Sequence, residues 1–474
     1  MDFQNDLITL FEKWSGEKAV SFSPLPLSGS ARKYFRISGN THSAIGTYNT
    51  DKRENRAFVY LTKHFLKNKL NVPKIYSSNL NSGIYLQQDL GDTTLFSMLE
   101  QKNTGDRFDD EIISIYKNVL EELPRFQISA SKKIDYSFCY PRARFDKQSM
   151  MWDLNYCKYY FLKLANISFD EQKLEDDFNT FTNFLFNAGS NYFMYRDFNS
   201  RNVMMLNDKP YFIDYQGGRK GALQYDVASF LFDSKANVPL NLREEFLEHY
   251  ISAAEKIKKI DKRKFLKYYY SFVLIRLMQM FGAYGYRGFF EGKSHFLKSI
   301  PFAIRNLEWL MQNHRPKIKT PELFNALAQI AASRELRKYE WIEPQKNALT
   351  VSVNSFSYRD RIPNDLSGNG GGFVFDCRAI HNPGRYDEYK LLTGKNKPVQ
   401  DFLDAQPEAQ DFLKHVFALA DESVEKYLSR GFTHLTINFG CTGGQHRSVY
   451  CAERLTKHLK EKFDVHVVLN HTKL

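Results

Sequence analysis

Hydrophobic positions change their spacing along the chain, and each spacing predicts a different kind of structure. Over the first ~100 residues, the alternating segments 34–37 and 84–87 predict short strands, and the apolar spacing within 53–68 predicts a helix between them. From about residue 108 to about residue 341 most of the spacing is three to four residues, which is typical of helices. The pattern predicts a small lobe rich in strands followed by a large, mostly helical lobe.

A third pattern begins near residue 348. Apolar segments at 349–353, 373–376, 435–439 and 465–469 are separated by segments with helical spacing. Strands that alternate with helices are typical of an α/β fold with a mostly parallel sheet. We therefore predict two domains, a bilobal α+β domain over residues 1–340 and an α/β domain over residues 348–474.

Composition and charge narrow the class of protein. The 474 residues are 43% hydrophobic and 25% charged, which is typical of a globular protein with real cores. The formal charge of +12 indicates either anionic partners, such as nucleotides or nucleic acid, or a basic surface that aids solubility. The chain start carries no signal-peptide pattern, no segment reaches the ~18 apolar residues of a membrane span, and the five cysteines are scattered, so we expect a cytoplasmic protein without a membrane partner.

The most informative motif joins an Asp and an Asn to a second Asp downstream. Asp197 and Asn202 lie in the segment YRDFNSRN at 195–202, and Asp214 follows a short apolar segment. Protein kinases show this order as H-R-D-x-x-x-x-N and then D-F-G. Phosphoryl transfer needs a carboxylate to deprotonate a hydroxyl, and an amide and a carboxylate to hold Mg²⁺. We predict Asp197 as the catalytic carboxylate and Asn202 and Asp214 as ligands of Mg²⁺.

A glycine turn near the start of the chain predicts where the phosphates of a nucleotide bind. Its backbone N–H groups and two positive charges would close over the phosphates. The predicted nucleotide-binding residues are Ser28, Gly29, Ser30, Arg32 and Lys33. Kinases also place a Lys on the third strand, and the segment 44–48 has none. Either Arg32, Lys33 or Lys52 replaces it, or nucleotide binding is weak.

Separate motifs give the first part of the chain a family resemblance. They are the segments 27–36, 89–92, 196–202 and 213–216, with 225–229 after them. On these motifs, residues 1 to roughly 330 resemble the aminoglycoside phosphotransferase family, and within it the bacterial kinases that phosphorylate the anomeric hydroxyl of N-acetylmuramate or N-acetylglucosamine. The resemblance implies a protein-kinase-like bilobal fold, ATP and Mg²⁺. We predict that Arg196 and Asp226 brace the catalytic loop.

A second chemical motif lies between an apolar strand and a helix, at Gly440–Ser448. Glycine-rich loops at this place gather N–H groups at a helix N-terminus and bind anions. The motif also matches Cys, five residues and then Arg-Ser, the spacing of cysteine phosphatases, so a nucleophilic Cys441 is a minor alternative to anion binding.

This region has its own resemblance. The loop at 440–450, with the segments 375–378, 382–383 and 392–399, is similar to the C-terminal domain of the RapZ RNase-adapter family over roughly residues 350–474. That domain is associated with glucosamine-6-phosphate and, in some bacteria, with small RNAs. The resemblance implies a sugar-phosphate pocket lined by Arg359, Cys441, Thr442, Gly443, Gly444, His446, Arg447 and Ser448. Gln445 stands where a Lys is typical, and Gly384 where a His is expected.

The two resemblances point to one leading hypothesis and one alternative. The leading hypothesis is an ATP- and Mg²⁺-dependent kinase for a sugar hydroxyl, such as that of an amino sugar, whose C-terminal domain binds a hexosamine phosphate. The alternative is a non-catalytic regulator that binds sugar phosphate or RNA. Salt-dependent RNA binding would favour the alternative.

Overall fold

The computed structural model describes residues 3–26, 32–102, 107–339, 349–365, 367 and 371–474. Contacts between residues divide the chain into two compact units. The first unit contains Met1–Tyr286 and Ser299–Arg337, and the second contains Arg287–Lys298 and Lys338–Leu474.

The first unit opens with a small lobe built on an antiparallel sheet. Its elements are α1 (Phe3–Ser15), β1 (Ser21–Pro24), β2 (Lys33–Ser38), β3 (Ser43–Tyr48), α2 (Lys52–Lys67), β4 (Ile75–Asn79) and β5 (Ile84–Gln88). The strands lie in the order β1-β2-β3-β5-β4. Phe35 and Ile37 alternate with more exposed neighbours on β2, and both belong to a buried cluster with Leu7 and Phe11 of α1. The structure confirms the predicted strand-rich lobe.

The rest of the first unit is mostly helical, as predicted. Its elements are α3 (Leu95–Gln101), α4 (Asp110–Pro124), α5 (Lys147–Cys157), α6 (Glu171–Phe186), β6 (Tyr192–Met194), β7 (Val203–Leu206), β8 (Lys209–Phe212), β9 (Arg219–Gly221), α7 (Gln224–Leu231), α8 (Leu240–Glu255), α9 (Lys262–Tyr284), α11 (Ile300–Asn313), α12 (Pro321–Ala332) and α13 (Arg334–Arg337), while the short α10 (Ser294–Leu297) groups with the second unit. Strands β6 and β9 form one antiparallel pair, and β7 and β8 form another. Across the described ranges, no helix is both long and apolar enough to cross a bilayer.

The second unit is an α/β fold with a four-stranded parallel sheet, which confirms the predicted parallel sheet. Its elements are β10 (Thr350–Ser357), β11 (Gly372–Asp376), α14 (Lys397–Asp404), α15 (Pro407–Ser429), β12 (His434–Cys441), α16 (Arg447–Lys462) and β13 (His466–His471). The strand order is β11-β12-β10-β13, and every pair is parallel. The central strands β10 and β12 are buried along most of their length, and apolar residues alternate in them with Ser, Thr and Asn.

Chain order within this sheet determines where its loops meet. The last residues of β10 and β12, Ser357 and Cys441, are register partners, so the loops that leave the two strands are neighbours. The loop after β12 leads directly into α16. In open α/β sheets, ligands bind outside the carboxyl ends of the strands, and a helix N-terminus at that place favours an anion.

Candidate functional site

The structure brings the three candidate catalytic residues together. The segment 195–202 connects β6 to β7, and Asp214 follows β8. The side-chain amide nitrogen of Asn202 donates to the carbonyl oxygen of Asp197 at 2.8 Å and to Oδ2 of Asp214 at 3.3 Å. Asn202 therefore joins the two segments that carry the candidate carboxylates.

Asp226 holds the backbone of this loop from below. Its carboxylate accepts the backbone N–H of Tyr195 at 2.8 Å and that of Arg196 at 2.9 Å. Gln127 donates a third bond at 2.8 Å. Asp226 is fully buried in the first turn of α7, and this burial raises the pKa of its carboxyl to about 6. Three donors and full burial give the loop a fixed backbone.

The Arg196 side chain forms a second group of hydrogen bonds between the loop and the helical lobe. Its guanidinium donates to both oxygens of Asp153 on α5, at 2.7 and 2.6 Å, and to the Tyr225 hydroxyl at 2.6 Å. Two parallel N–H···O bonds are the strongest form of an Arg–carboxylate pair. Sequence reasoning missed Asp153, because nothing in its local pattern distinguishes it from a surface carboxylate.

Two residues of the site adopt a strained backbone conformation. Arg196 has φ of 83° and Asp214 has φ of 68°. Side chains other than glycine rarely occupy this left-handed region, and the strain is about 1–3 kcal/mol for each residue. Such strain persists only where the surrounding bonds determine the backbone, and it is concentrated at functional sites.

A buried arginine stands close to where kinases have their third-strand Lys. Arg32, 4% exposed, donates from Nη2 to Oε1 of Glu54 at 2.9 Å and to Oδ1 of Asp214 at 3.3 Å. Asn49 holds the other oxygen of Glu54 at 2.7 Å. Thr47 is the third-strand residue opposite Tyr34, two positions after Arg32. The helix residue Glu54 thus has a cationic partner that the third strand does not supply.

The other predicted nucleotide-binding residues are placed differently. Lys33 is exposed, and its Nζ lies 5.2 Å from the centroid of the Phe3 ring. Arg32 and Lys33 are adjacent at the start of β2, so their side chains point to opposite faces. The structure brings Arg32 to Asp214 and does not bring Lys33 there. Ser28, Gly29 and Ser30 lie outside the described residues.

The chemistry of Asn202 and Asp214 fits a hard divalent cation. Both hydrogen bonds of the Asn202 side chain are donated by its amide nitrogen. No described group donates a hydrogen bond to its side-chain oxygen. Burial raises the pKa of Asp214, and the Arg32 charge opposes that rise. Carboxylate and amide oxygens are the ligands that Mg²⁺ prefers. No cluster of three or more His, Cys, Asp or Glu side chains that could hold a metal occurs in the described part of the chain.

In the second unit, the loop after β12 folds around the Cys441 thiol. Cys441 Sγ accepts the backbone N–H of Gly444 at 3.2 Å and lies 3.1 Å from the Ser448 hydroxyl oxygen. Gly444 has φ of +70°, and a Cβ there would stand 3.0 Å from the backbone nitrogen of Ser357. Only glycine combines this conformation with so close an approach. Cys441 is 3% exposed, so the thiol lies inside the loop.

The larger side chains of this loop also turn inward. Arg447, 6% exposed, donates from Nη1 to the carbonyl oxygens of Arg378 and Ile380, at 2.9 Å each. A ring nitrogen of His446 lies 2.9 Å from the carbonyl oxygen of Tyr389. Of the predicted sugar-phosphate residues, those that face solvent are Arg359, Thr442 and Gly443.

Comparison with known proteins identifies both units. A model described as the phosphotransferase enzyme family matches residues 21–265, and one described as the RapZ C-terminal domain matches residues 349–474. A nucleotide-binding protein of Neisseria gonorrhoeae is 33% identical over 126 residues, which are 27% of this chain and 43% of that protein. A nucleotide-binding protein of Janthinobacterium sp. is 36% identical over 133 residues, 28% of this chain and 44% of that protein. The chain spans less than half the length of these curated relatives.

Among solved structures, similar chains include two small-molecule kinases. A choline kinase from Streptococcus pneumoniae is 15% identical, with a TM-score of 0.45 over 66% of this chain and 100% of that chain. An ethanolamine kinase from Plasmodium vivax is 12% identical, with a TM-score of 0.42 over 67% of this chain and 84% of that chain. The first family model covers more than half of this chain. The chain therefore belongs to the phosphotransferase enzyme family and carries a RapZ C-terminal domain at residues 349–474.

Proposed function

We propose that the first unit transfers a phosphoryl group from ATP to a sugar hydroxyl, with Mg²⁺ as the metal. One observation carries the proposal, the convergence of Asp197, Asn202 and Asp214 on a braced loop. Within the described ranges, no group donates to the Asp197 carboxylate, so it is free to accept a proton from a substrate hydroxyl. Family membership supports a phosphotransferase.

Each residue of the loop has a distinct task in this proposal. Asp197 orients the acceptor hydroxyl and takes its proton, while the Asn202 oxygen and the Asp214 carboxylate hold the metal. When bound, the metal neutralises charge on the phosphate oxygens. Asn202 also holds the backbone carbonyl of Asp197, the residue that carries the catalytic carboxylate. Asp226 keeps the loop backbone rigid while these groups act.

Arg32 is the candidate grip on the phosphates of the nucleotide. In kinases, a Lys on the third strand does this and pairs with a helix Glu. Here Arg32 pairs with Glu54 and also reaches Asp214, so its charge lies beside the metal ligand. A guanidinium presents a planar pair of N–H groups to phosphate oxygens, a fixed geometry that a Lys ammonium lacks. Arg32 then supplies the charge that segment 44–48 lacks.

The second unit is proposed to bind a hexosamine phosphate at the loop 441–448. Thr442 and Gly443 are exposed residues of this loop, which leads into the N-terminus of α16. In the described part of the unit, the buried Nε of Arg447 has no hydrogen-bond partner. An anion near that nitrogen would offset its buried charge. Inward-facing Cys441 does not favour the phosphatase alternative.

The amino-sugar acceptor is supported by two resemblances on one chain. The motifs of the first unit resemble those of cell-wall amino-sugar kinases, and the RapZ C-terminal domain is associated with an amino-sugar phosphate. A kinase that makes or consumes such a metabolite and a domain that binds it would work on related chemistry. The second unit would then sense the pathway in which the first acts.

A screen of sugars with ATP and Mg²⁺ tests the proposed activity. We expect phosphate transfer to at least one amino sugar, with the phosphorylated position read by NMR. Asp197→Asn keeps the side-chain shape and should lower kcat by about 10²- to 10⁴-fold. Asp208→Asn is the matched control, because Asp208 is exposed in the β7–β8 turn.

Two outcomes would reject the kinase. One is a wild-type protein that phosphorylates no sugar, and the other is Asp197→Asn with unchanged kcat. One observation favours the non-catalytic regulator. Gln216 donates to Asp214 Oδ1 at 2.7 Å and Arg32 donates to the same oxygen, so side chains of the protein already occupy this candidate metal-binding atom. Absent transfer together with salt-dependent RNA binding would support that second candidate.

A further inference from the structure

One buried cation beside the catalytic loop, Arg219, has no part in the proposed phosphoryl transfer. Arg219 is the first residue of β9 and is 6% exposed. Its Nε donates to the carbonyl oxygen of Gly217 at 3.0 Å. In the part of the chain that the structure describes, no group accepts a hydrogen bond from its two terminal amino groups, and neither nitrogen is among the fully enclosed atoms. A recessed guanidinium with accessible donors is a natural partner for an anion.

The position of Arg219 places these donors at the candidate active site. A Cβ at Gly217 would stand 3.5 Å from Oδ2 of Asp197, so the carbonyl that holds Arg219 belongs to a residue in contact with the catalytic carboxylate. The charges that act most strongly on Arg219 are those of Arg196, Asp153 and Asp197. Asp214 is instead influenced by Arg32, Asp197 and Glu54. The charge of Asp197 thus acts on both Asp214 and Arg219.

The surrounding charges do not neutralise Arg219. Asp153 is already paired with Arg196 through two bonds, which leaves Asp197 as the nearby carboxylate that no described group bonds. Burial, with the repulsion of Arg196, lowers the pKa of Arg219 to about 10. The group remains charged at neutral pH, in a place that disfavours an unpaired cation.

The chain segment that lies along β9 carries the charge of Arg144 on the Lys220 side of the strand. Lys220 donates its backbone N–H to the carbonyl of Ala143 at 2.9 Å, and its own carbonyl accepts from the N–H of Phe145 at 2.8 Å. The exposed Arg144 is the bridge partner of Lys220, so its side chain lies on the face of β9 opposite to that of Arg219. Arg144 therefore does not add to the charge on the Arg219 side.

We propose that Arg219 binds an anionic substituent of the acceptor, a carboxylate or a phosphate, and so makes the kinase selective for acidic sugars. This inference rests on the proposed kinase function. The acceptor hydroxyl would face Asp197, and the anionic group would sit against the two terminal amino groups of Arg219. A bidentate guanidinium–oxyanion pair fixes the orientation of the sugar as well as adding affinity.

Matched acceptors test the inference. N-acetylmuramate and N-acetylglucosamine differ by a carboxylate-bearing ether, and N-acetylglucosamine 6-phosphate provides the phosphate arm. For wild type we expect kcat/KM to be highest for one of the two anionic sugars. Arg219→Gln should raise KM for that sugar by about 10- to 100-fold, while KM for N-acetylglucosamine and for ATP changes by less than about threefold.

Two further variants make the comparison specific. Lys220→Gln is the charge-matched control, because its side chain leaves the opposite face of β9 and its Nζ lies over the Tyr136 ring. Arg219→Lys keeps the charge but loses the two-pronged geometry, so we expect an intermediate KM. If Arg219→Gln fails to fold in a thermal unfolding measurement, Arg219→Lys carries the test.

The outcomes separate this inference from the proposed function. No preference of wild type for anionic sugars, or an equal loss of kcat on every acceptor in Arg219→Gln, would overturn it, the second by assigning Arg219 to the transferred phosphoryl group. If wild type phosphorylates no sugar, the kinase proposal fails. Calorimetry of the full chain with the anionic sugars then still decides, since binding that Arg219→Gln abolishes supports the anion site and absent binding rejects it.

Discussion

The two candidate sites differ in the groups that form them, which are charged side chains in the first unit and a glycine-rich loop in the second. In the first unit, charged side chains are tied into ion pairs, and their geometry depends on the pairs Arg32–Glu54 and Arg196–Asp153. In the second unit, a glycine-rich loop exposes the uncharged residues Thr442 and Gly443, while Arg447 and Cys441 turn inward. The difference teaches that side-chain identity should decide the first site and backbone shape the second.

The largest expected effect comes from removing the brace under the catalytic loop. Asp226→Ala leaves two buried N–H groups and Gln127 without their acceptor, so we expect a loss of about 4 kcal/mol in the free energy of unfolding. Three of the four tryptophans lie in the first unit, so tryptophan fluorescence in urea follows its unfolding. Asp110→Ala, on the exposed start of α4, is the control. A loss below about 1 kcal/mol would show that side chains do not hold this loop.

The same carboxyl should make stability depend on pH. Its pKa is about 6 in the folded chain against an ordinary value of 3.8, so the folded state binds the proton more tightly. The stabilisation of the folded state by this proton is complete below the ordinary pKa, and it is lost as pH rises through about 6. Relative to Asp226→Asn, wild type should lose about 3 kcal/mol of stability between about pH 4 and pH 7. Parallel stability curves for the two proteins would contradict the assigned pKa.

A third prediction separates two adjacent cations of the small lobe. Arg32→Met should raise KM for ATP about 30-fold, because it removes a charge-assisted contact and leaves Glu54 unpaired. Lys33→Met should change it by less than about threefold, because the Lys33 side chain is exposed on the other face of β2. Steady-state kinetics at saturating acceptor measure both. Equal effects would mean that total charge, and not the buried pair, grips the nucleotide.

The smallest effects are expected at the second site, where shape should outweigh side chains. Gly444→Ala forces a strained φ and a contact with Ser357, so affinity for glucosamine 6-phosphate should fall about tenfold. Thr442→Ala keeps the loop backbone and should cost about twofold. Calorimetry of the full chain gives both constants. A larger loss for Thr442→Ala would overturn the distinction between the two sites.

The sequence predicted the parts of the first site that depend on short spacings. Asp197 and Asn202 belong to one loop, and Asp214 follows the next hairpin, so a linear pattern was enough to group these candidate residues. The partners of Arg32 and Arg196 could not be predicted, because Glu54 and Asp153 reach them only through the packing of distant helices. Glu54 pairs with Arg32 through this packing. The third strand, where kinases have the Lys that pairs with this Glu, carries no Lys in segment 44–48.

The second site shows the opposite limit. The pattern around Gly440–Ser448 predicted the glycine loop, the strand before it and the helix after it. The direction of its side chains was not, because Arg447 finds its acceptors in the carbonyls of residues 378 and 380, after a different strand. A motif therefore identified the loop but not which of its groups face a ligand.

The left-handed backbone at Arg196 and Asp214 has a consequence for how this protein can change. Glycine would relax the chain at either position, and a selection for heat resistance alone would favour such relaxation. Each relaxation would also delete a side chain on which the proposed chemistry depends. Improvement of robustness and preservation of turnover therefore conflict most directly at these two residues, and a laboratory evolution experiment should hold both fixed.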